Sequence, residues 1–344
     1  MVEKLPSISI VIPTYNSERV LKDCLDSIKM QDYPKDLIEV IIADGGSTDR
    51  TMEILKDHKV DKIQYNPLIT GEAGKAVGVE AASNEIIALI DSDNVLDGKD
   101  WLKQMTRPFG DPEITGTEPL YYTYRKEDTL INRYCALLGM NDPLCLYLGN
   151  YDRYSYLTGR WTGLNVSAVK KDGYFQLELD GNAIPTIGAN GFMVRRESIL
   201  NTVYKPYLFD IDVVHQLVES GMHKFAKVDI GIIHLFAKRA GDFVKKQKRR
   251  INDYLYFKKR DMRSYPWQQI NTKGLVKFVL ATLLVFPLVF DSLRGYVKIR
   301  DRAWFFHPIA CWITLWIYSL GYIKALFGNI TLNRRGWAKK AEGV

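Results

Sequence analysis

Three short apolar runs in the first hundred residues each lead into a cluster of polar side chains. The runs cover residues 8–12, 38–42 and 86–90, and most of their residues are β-branched. Such runs are typical of strands that are buried on both faces of a parallel sheet. Ligands of open parallel sheets bind beyond the carboxyl ends of the strands. The sequence therefore predicts an α/β domain in which three strands deliver polar groups to one edge of the sheet.

The polar clusters carry a resemblance to a known family. They are Pro13-Thr14-Tyr15-Asn16, Asp44-Gly45-Gly46-Ser47-Thr48-Asp49 and Asp91-Ser92-Asp93. In this order they resemble the signature of family 2 glycosyltransferases with the GT-A fold, over roughly residues 7–236. The resemblance implies a doubly wound mixed α/β sheet. It also implies an inverting transfer of sugar from a nucleotide-sugar donor, a UDP- or GDP-sugar.

The Asp-x-Asp motif after the third run is the candidate metal site. A sugar diphosphate carries adjacent negative charges, and a hard divalent cation held by carboxylates can bridge them. The resemblance implies that Asp91 and Asp93 support Mg²⁺ or Mn²⁺. A late His completes the metal shell in related enzymes, and His234, after a predicted strand over residues 230–233, is the candidate here. A structural role for His234 is the alternative.

The resemblance also implies a set of donor-binding residues. They are Pro13, Thr14, Tyr15, Asn16, Asp44, Lys75, Asp91 and Ser92. Asp44 would accept an N–H of the nucleobase, or else simply belong to a loop that leads into a helix. The family often has Arg followed by Asn where this chain has Lys75 and Ala76. A cation at that position can meet the diphosphate, and an ordinary surface lysine is the alternative.

The catalytic base should be a carboxylate, because an alcohol acceptor must lose its proton as it attacks. The family carries the base in a Glu-Asp pair about eleven residues before a Gly that ends a helix. Counting back from Gly221 gives Asp210, with Phe209 where Glu is expected, and Asp212 is the second candidate. The carboxylate that is not the base would cap the predicted helix over residues 209–221. Asn190 and Gly191 resemble the acceptor-side loop.

The charge of the chain is divided unevenly, although the total is +7. Residues from Lys238 onward include 22 Lys/Arg and 6 Asp/Glu, whereas the rest of the chain includes 25 and 34. A basic segment can bind anionic lipid or nucleic acid, and the apolar stretches within this one favour lipid, so we predict a membrane partner and no nucleic acid. We predict a GT-A catalytic domain over residues 1–236 and a basic amphipathic interfacial segment over 237–272. Apolar membrane-associated helices and a basic tail would follow over 273–344.

Two apolar stretches, residues 278–290 and 303–327, are the candidates for membrane contact. The first is short for a span of roughly 20 residues, and Pro287 interrupts it. Four cations in the connector would violate the positive-inside tendency if the first stretch crossed the bilayer. A hairpin or interfacial helices entering from the cytoplasmic side is therefore the favoured arrangement, with two true spans as the alternative. The strand predicted from Ile8 argues against a signal peptide. The four Cys residues lack metal spacing and indicate reduced thiols.

These observations predict a metal-dependent glycosyltransferase at the cell membrane with a cytoplasmic catalytic domain. Its acceptor would be lipid-linked, such as polyprenyl phosphate. The nearest alternative is an enzyme that extends a polysaccharide or a lipid-linked oligosaccharide. A nucleotidyltransferase is disfavoured because residues 13–16 are neither Gly-rich nor basic. An inactive membrane scaffold is disfavoured because Asp91, Asp93 and Asp210 are all present.

Overall fold

The computed structural model describes residues 5–266, 271–328 and 332. Its strands are β1 Ile8–Thr14, β2 Ile38–Asp44, β3 Lys62–Tyr65, β4 Ile86–Leu89, β5 Asn94–Leu96, β6 Gly116–Tyr122, β7 Ser167–Lys171, β8 Tyr174–Glu178, β9 Phe192–Arg195 and β10 Lys224–His234. Its α-helices are α1 Leu21–Lys29, α2 Thr51–His58, α3 Gly71–Ala81, α4 Trp101–Thr106, α5 Leu130–Leu138, α6 Leu144–Leu148, α7 Arg196–Leu200, α8 Asp210–Glu219, α9 Ala240–Lys259, α10 Thr272–Leu284, α11 Phe286–Lys298 and α12 His307–Phe327.

The described strands form one mixed sheet in the order β3-β2-β1-β4-β9-β6-β10-β8-β7, with β5 paired to β10. β1 lies parallel to both β2 and β4, with Ile8 opposite Ile38 and Ile86. Every residue of β1 is buried, as expected for a strand covered on both faces. The predicted mixed α/β sheet is confirmed. Its three predicted strands end at one edge because they run side by side in the same direction.

Two antiparallel pairings bring later segments to that edge. β9 pairs with β4, with Phe192 opposite Leu89, so the turn before β9 lies at the carboxyl end of β4. β10 pairs with β5, with His234 opposite Asn94. His234 therefore lies next to the Asp-x-Asp segment, although well over a hundred residues separate them in the sequence.

The chain divides into two compact units. The described part of the first contains residues 5–120 and 166–234, and that of the second contains residues 121–165, 235–266 and 271–328 with Leu332. Residues 121–165, which we placed with the catalytic domain, thus belong to the second unit. The physical reason is a shared core, in which the rings of Tyr134 and Phe243 both pack edge-on against Phe306. The Tyr134 hydroxyl also lies 2.8 Å from His307 Nδ1.

Helix α9 contains most of the predicted basic amphipathic segment. Its apolar side chains, including Phe243 and Ile251, are buried within the second unit. Ile251 packs on Gly321 of α12 so closely that a Cβ at Gly321 would lie 2.9 Å from it. The apolar side of α9 is thus covered by protein, and a membrane contact of α9 would rely on its Lys and Arg side chains.

The predicted apolar stretch over residues 278–290 is broken. It covers the end of α10 and the start of α11, which meet at Val285 with a bend of 92°. In the described part of the chain, Arg302–Phe327 is the one helical segment long and apolar enough to cross a membrane by itself. The bent α10–α11 pair passes the same test when its two helices are taken together. The basic tail after residue 328 lies outside the described residues, apart from Leu332.

Candidate active site

Asp44 organises the loop that follows β2. Its Oδ1 accepts hydrogen bonds from the hydroxyls of Thr14 at 2.9 Å and Ser47 at 2.6 Å. Its Oδ2 accepts the backbone N–H groups of Gly46 and Ser47, both at 2.8 Å. A carboxylate offers about four lone-pair positions, so these four donors fill them. A nucleobase N–H would therefore have to share an Asp44 oxygen with one of the loop donors.

The segment after β1 interlocks with the same loop. The Asn16 N–H donates to the Ser47 hydroxyl at 2.9 Å, and the Asn16 side-chain oxygen accepts the Thr48 N–H at 2.8 Å. A Cβ at Gly45 would lie 3.1 Å from the Tyr15 ring, so the absence of a side chain there lets the ring lie against the loop. The predicted donor residues at the ends of β1 and β2 are thus brought together.

Pro13 is in close contact with α3, and this contact places Lys75. A Cβ at Gly74 would lie 2.7 Å from the Pro13 Cβ, so α3 can approach β1 only because residue 74 is Gly. Lys75, the next residue, is 5 % exposed and is not a surface lysine. Its Nζ lies 2.9 Å from Asp210 Oδ1 and 3.6 Å from Asp91 Oδ1.

The two carboxylates keep Lys75 charged. Burial alone would lower the pKa of Lys75, but the charges of Asp210 and Asp91 outweigh burial and raise that pKa above its usual value. A buried ammonium is stable in this position because it is paired and hydrogen-bonded. The structure therefore places a permanent cation between the strand-end motif and the first turn of α8.

Asp210 and Asp212 both lie in the first turn of α8, where the helix dipole favours negative charge. Asp212 is 3 % exposed, whereas the Asp210 side chain keeps 26 % of its surface accessible. Burial raises the pKa of Asp210 to about 6, with Asp91 adding to the rise and Lys75 opposing it. Asp210 is thus the more accessible of the two candidate bases.

Asp93 and His234 approach each other at the same edge of the sheet. Asp93 Oδ1 lies 3.5 Å from His234 Nε2, close enough for one cation to contact both atoms. A carboxylate oxygen and an imidazole nitrogen are both common ligands of divalent metals. Among residues 5–266, 271–328 and 332, no group of three His, Cys, Asp or Glu has a metal-binding arrangement. Asp93 and His234 together fit a cation that takes its remaining ligands from phosphate and water, as Mg²⁺ commonly does. The Asp91 carboxylate, in contrast, lies 3.6 Å from the Lys75 ammonium.

The predicted acceptor-side turn also lies at this edge. Asn190 accepts a hydrogen bond from the side chain of Asn94 at 3.1 Å, and the Gly191 N–H donates to the Leu89 carbonyl at 2.9 Å. Gly191 has φ +95°, and a Cβ there would lie 2.8 Å from Ile232, so Gly is needed at this position. The remaining predicted donor residue, Ser92, has its hydroxyl 3.1 Å from that of Ser17.

The sequence analysis missed a buried ion pair next to the site. Glu118 and Lys227 are both 0 % exposed, and they form a short salt bridge. Glu118 Oε1 also accepts the N–H of Gly188 at 2.9 Å. Gly188 has φ +119°, and a Cβ there would lie 3.0 Å from the Cβ of Asp210. The sequence offered one indication of this pair, which is that Lys227 lies within the mainly apolar stretch of residues 225–233.

The comparison of the chain with known families agrees with this geometry. The model of the family described as "Glycosyl transferase family 2" matches residues 9–198, more than half of the chain. The chain belongs to glycosyl transferase family 2, and the predicted class of enzyme is confirmed.

Curated relatives match parts of the chain. Glycosyltransferase AglE of Haloferax volcanii is 30 % identical over 151 residues, which cover 41 % of this chain and 48 % of AglE. A Methanococcus voltae dolichyl N-acetyl-α-D-glucosaminyl phosphate 3-β-D-2,3-diacetamido-2,3-dideoxy-β-D-glucuronosyltransferase is 41 % identical over 71 residues, which cover 20 % and 22 % of the two chains. The chain thus spans about half or less of the length of these relatives.

A solved structure shares the fold. The mannosyltransferase PcManGT of Pyrobaculum calidifontis, solved with GDP-Man and Mn²⁺, superimposes with a TM-score of 0.53. The match covers 94 % of this chain and 88 % of PcManGT at 15 % sequence identity. At that identity the similarity establishes a common fold.

Proposed function

We propose that this protein transfers a sugar from a UDP- or GDP-sugar to a lipid-linked acceptor such as polyprenyl phosphate, at the cytoplasmic face of a membrane. The observation that carries the proposal is the convergence of Asp91, Lys75 and Asp210 at the edge where β1, β2 and β4 end. This edge also holds the pair of Asp93 and His234. In this proposal the diphosphate, the metal and the base would all lie at this edge.

The donor side would be served by the loops after β1 and β2. Thr14, Tyr15 and Asp44 would contact the nucleobase, and Asp93 with His234 would hold Mg²⁺ or Mn²⁺. When bound, such a cation neutralises charge that develops on the diphosphate leaving group. The presence of GDP-Man and Mn²⁺ in the PcManGT complex is in keeping with this assignment.

The acceptor side would be served by Asp210 and the turn at Asn190 and Gly191. Where the attacking oxygen carries a proton, as in a hydroxyl or a monoanionic phosphate, Asp210 in its carboxylate form would take that proton as the oxygen attacks the anomeric carbon. The bond from that carbon to the diphosphate breaks in the same step, which inverts the configuration. Lys75 would hold the Asp210 carboxylate in place through their 2.9 Å hydrogen bond.

A lipid acceptor is supported by the apolar helices of the second unit. The segment Arg302–Phe327 is long enough to span a bilayer, and 22 % of its most apolar window is buried. Leu284 and Phe286, at the break between α10 and α11, are 68 % and 77 % exposed. Large exposed apolar patches are typical of membrane or partner contacts.

Extension of a lipid-linked saccharide is the second candidate, and the Methanococcus voltae relative named for a dolichyl-linked sugar phosphate favours it. A donor panel separates the two functions. Membranes containing the full chain receive UDP- and GDP-sugars together with either polyprenyl phosphate or a polyprenyl-linked saccharide. A mass gain of one sugar on polyprenyl phosphate supports the proposal, and a gain only on the saccharide selects the alternative. Absence of donor consumption in every combination overturns both.

A further inference from the structure

A groove of about 820 Å³ lies within the second unit, between the α10–α11 pair and residues 146–147 and 157–158. Its volume falls in the range of pockets that hold small ligands, roughly 300–1,000 Å³. Its apolar wall is formed mainly by side chains of α10 and α11. They include Val276, Leu280, Ala281, Leu284, Pro287 and Phe290.

The wall repeats at helical spacing. Val276, Leu280 and Leu284 follow one another every four residues along α10, and they are 53 %, 54 % and 68 % exposed. Phe290 of α11 is 58 % exposed and lines the same groove. In contrast, Phe278 of α10 is buried and packs edge-on against the Tyr147 ring. One side of α10 therefore packs on protein, and another offers apolar surface to the groove.

The charged side chains that line the groove are mainly cationic. Lys273, Lys277 and Arg294 line it, against the single carboxylate of Asp291. Asp291 interacts electrostatically with both Arg294 and Lys277, so these three groups lie near one another. An excess of cations beside a continuous apolar wall matches a molecule with an anionic head and a long apolar chain.

We propose that this groove binds an anionic phospholipid of the bilayer, with its phosphate at Lys277 and Arg294 and an acyl chain along Val276, Leu280 and Leu284. A bilayer phospholipid is favoured because the groove adjoins the exposed apolar side chains at the break between α10 and α11, which we place in the membrane. The lipid acceptor is the competing occupant, and the test includes it.

The test uses the full chain in a neutral detergent. Phosphatidylglycerol, phosphatidylcholine, polyprenyl phosphate and inorganic phosphate are titrated separately, and native mass spectrometry counts bound molecules. We expect phosphatidylglycerol to bind in preference to phosphatidylcholine. Lys277→Gln with Arg294→Gln should weaken that binding about thirtyfold, since each cation near an anionic head contributes about 1 kcal/mol. Lys324→Gln, which changes an exposed cation on α12 outside the groove, should leave it unchanged.

Several outcomes would overturn the proposal. One is equal binding of the two phospholipids, and another is a loss of phosphatidylglycerol binding in Lys324→Gln as large as that in the double variant. A third is displacement of phosphatidylglycerol by a small excess of polyprenyl phosphate, which would make the groove an acceptor site. Inorganic phosphate that competes as well as the lipid would show that the apolar wall contributes nothing. Lys277→Arg with Arg294→Lys keeps both charges and should bind lipid like the wild type. Circular dichroism of the neutral variant in the same detergent checks that it folds, so that misfolding cannot imitate the expected result. Sugar transfer is assayed separately, so a failed donor panel leaves this test intact.

Discussion

The ammonium of Lys75 lies 2.9 Å from the carboxylate of Asp210, although 135 residues separate them in the sequence. Lys75 is buried, and its ammonium also lies 3.6 Å from Asp91 Oδ1. The proposed base, the strand-end motif and a fixed cation therefore form one electrostatic unit. A change in the charge of Lys75 or Asp91 alters the pKa of Asp210, and this coupling makes the proposed roles accessible to experiment.

Asp210→Asn should lower kcat by about 10²-fold or more, the scale of a lost general base, while donor binding persists. Asp212→Asn should cost less, because Asp212 is buried in the same helical turn and offers little surface to an acceptor. The measurement is kcat and KM for both substrates in each variant. A larger kcat loss in Asp212→Asn would move the role of the base to Asp212.

The fall of kcat/KM at low pH should reflect the protonation of Asp210. Its pKa is raised to about 6, and a base acts in its deprotonated form, so kcat/KM should fall as the pH drops below about 6. Lys75→Met removes a cation that favours the carboxylate, and this fall should move to higher pH. Lys103→Met, which removes a cation from the exposed pair with Asp32, is the control and should leave the profile unchanged. If kcat/KM falls at the same pH in Lys75→Met as in the wild type, Lys75 does not affect the pKa of the catalytic base.

Asp93→Ala should abolish transfer, because it removes one of the two protein ligands proposed for the metal. His234→Ala should raise the metal concentration needed for half-maximal activity without abolishing transfer. Activity is measured with Mg²⁺ or Mn²⁺ and after chelation, with Asp172→Ala as a control at an exposed carboxylate. Full activity of the wild type in EDTA would disprove a metal requirement.

The strands and the strand-end motifs were predictable because their signals are local. A buried parallel strand needs a continuous apolar run, and the polar residues at its end follow directly in the sequence. The helix predicted over residues 209–221 is present as α8, Asp210–Glu219, and His234 lies at the end of β10 as predicted. Both depend on short patterns, a carboxylate in a first helical turn and an apolar run before a His.

The burial of Lys75 and of the apolar side of α9 was not predictable, because it depends on contacts between segments that are distant in the sequence. No local pattern says whether Lys75 is exposed, since its burial follows from the tight packing of Gly74 on Pro13. The burial of the apolar side of α9 likewise depends on α12, which begins nearly fifty residues after α9 ends. An amphipathic pattern shows that one side of a helix contacts apolar groups, but it does not show whether those groups belong to protein or to lipid.

The pair of Glu118 and Lys227 should hold the turn at Gly188 against Asp210. Glu118→Gln removes the carboxylate charge that the buried Lys227 ammonium is paired with, so this variant alone should destabilise the fold by about 3–5 kcal/mol. Glu118→Gln with Lys227→Met removes both charges and keeps an oxygen for the Gly188 N–H. Its stability should return towards that of the wild type.

A matched second double variant isolates the hydrogen bond to Gly188. Glu118→Leu with Lys227→Met also removes both charges but leaves the Gly188 N–H without its Glu118 acceptor. Its kcat should be about five- to tenfold below that of the Glu118→Gln double variant, the scale of one lost hydrogen bond. The donor KM should change little. Equal kcat in two well-folded double variants would show that Glu118 has only a structural role.

The break between α10 and α11 should insert into the bilayer. Phe286→Asp places a charge on a side chain that is 77 % exposed at this break, and a charge within the apolar layer is costly. Val203→Asp is the matched control, because Val203 is also 77 % exposed but belongs to the first unit. In flotation with anionic liposomes, the wild type and the control should stay bound at high salt, since apolar burial is not screened. Phe286→Asp should keep only the binding due to its basic residues, which salt screens over a Debye length of about 10 Å, and it should wash off. Wild-type protein that leaves the liposomes at high salt would show that charge alone holds the chain at the membrane.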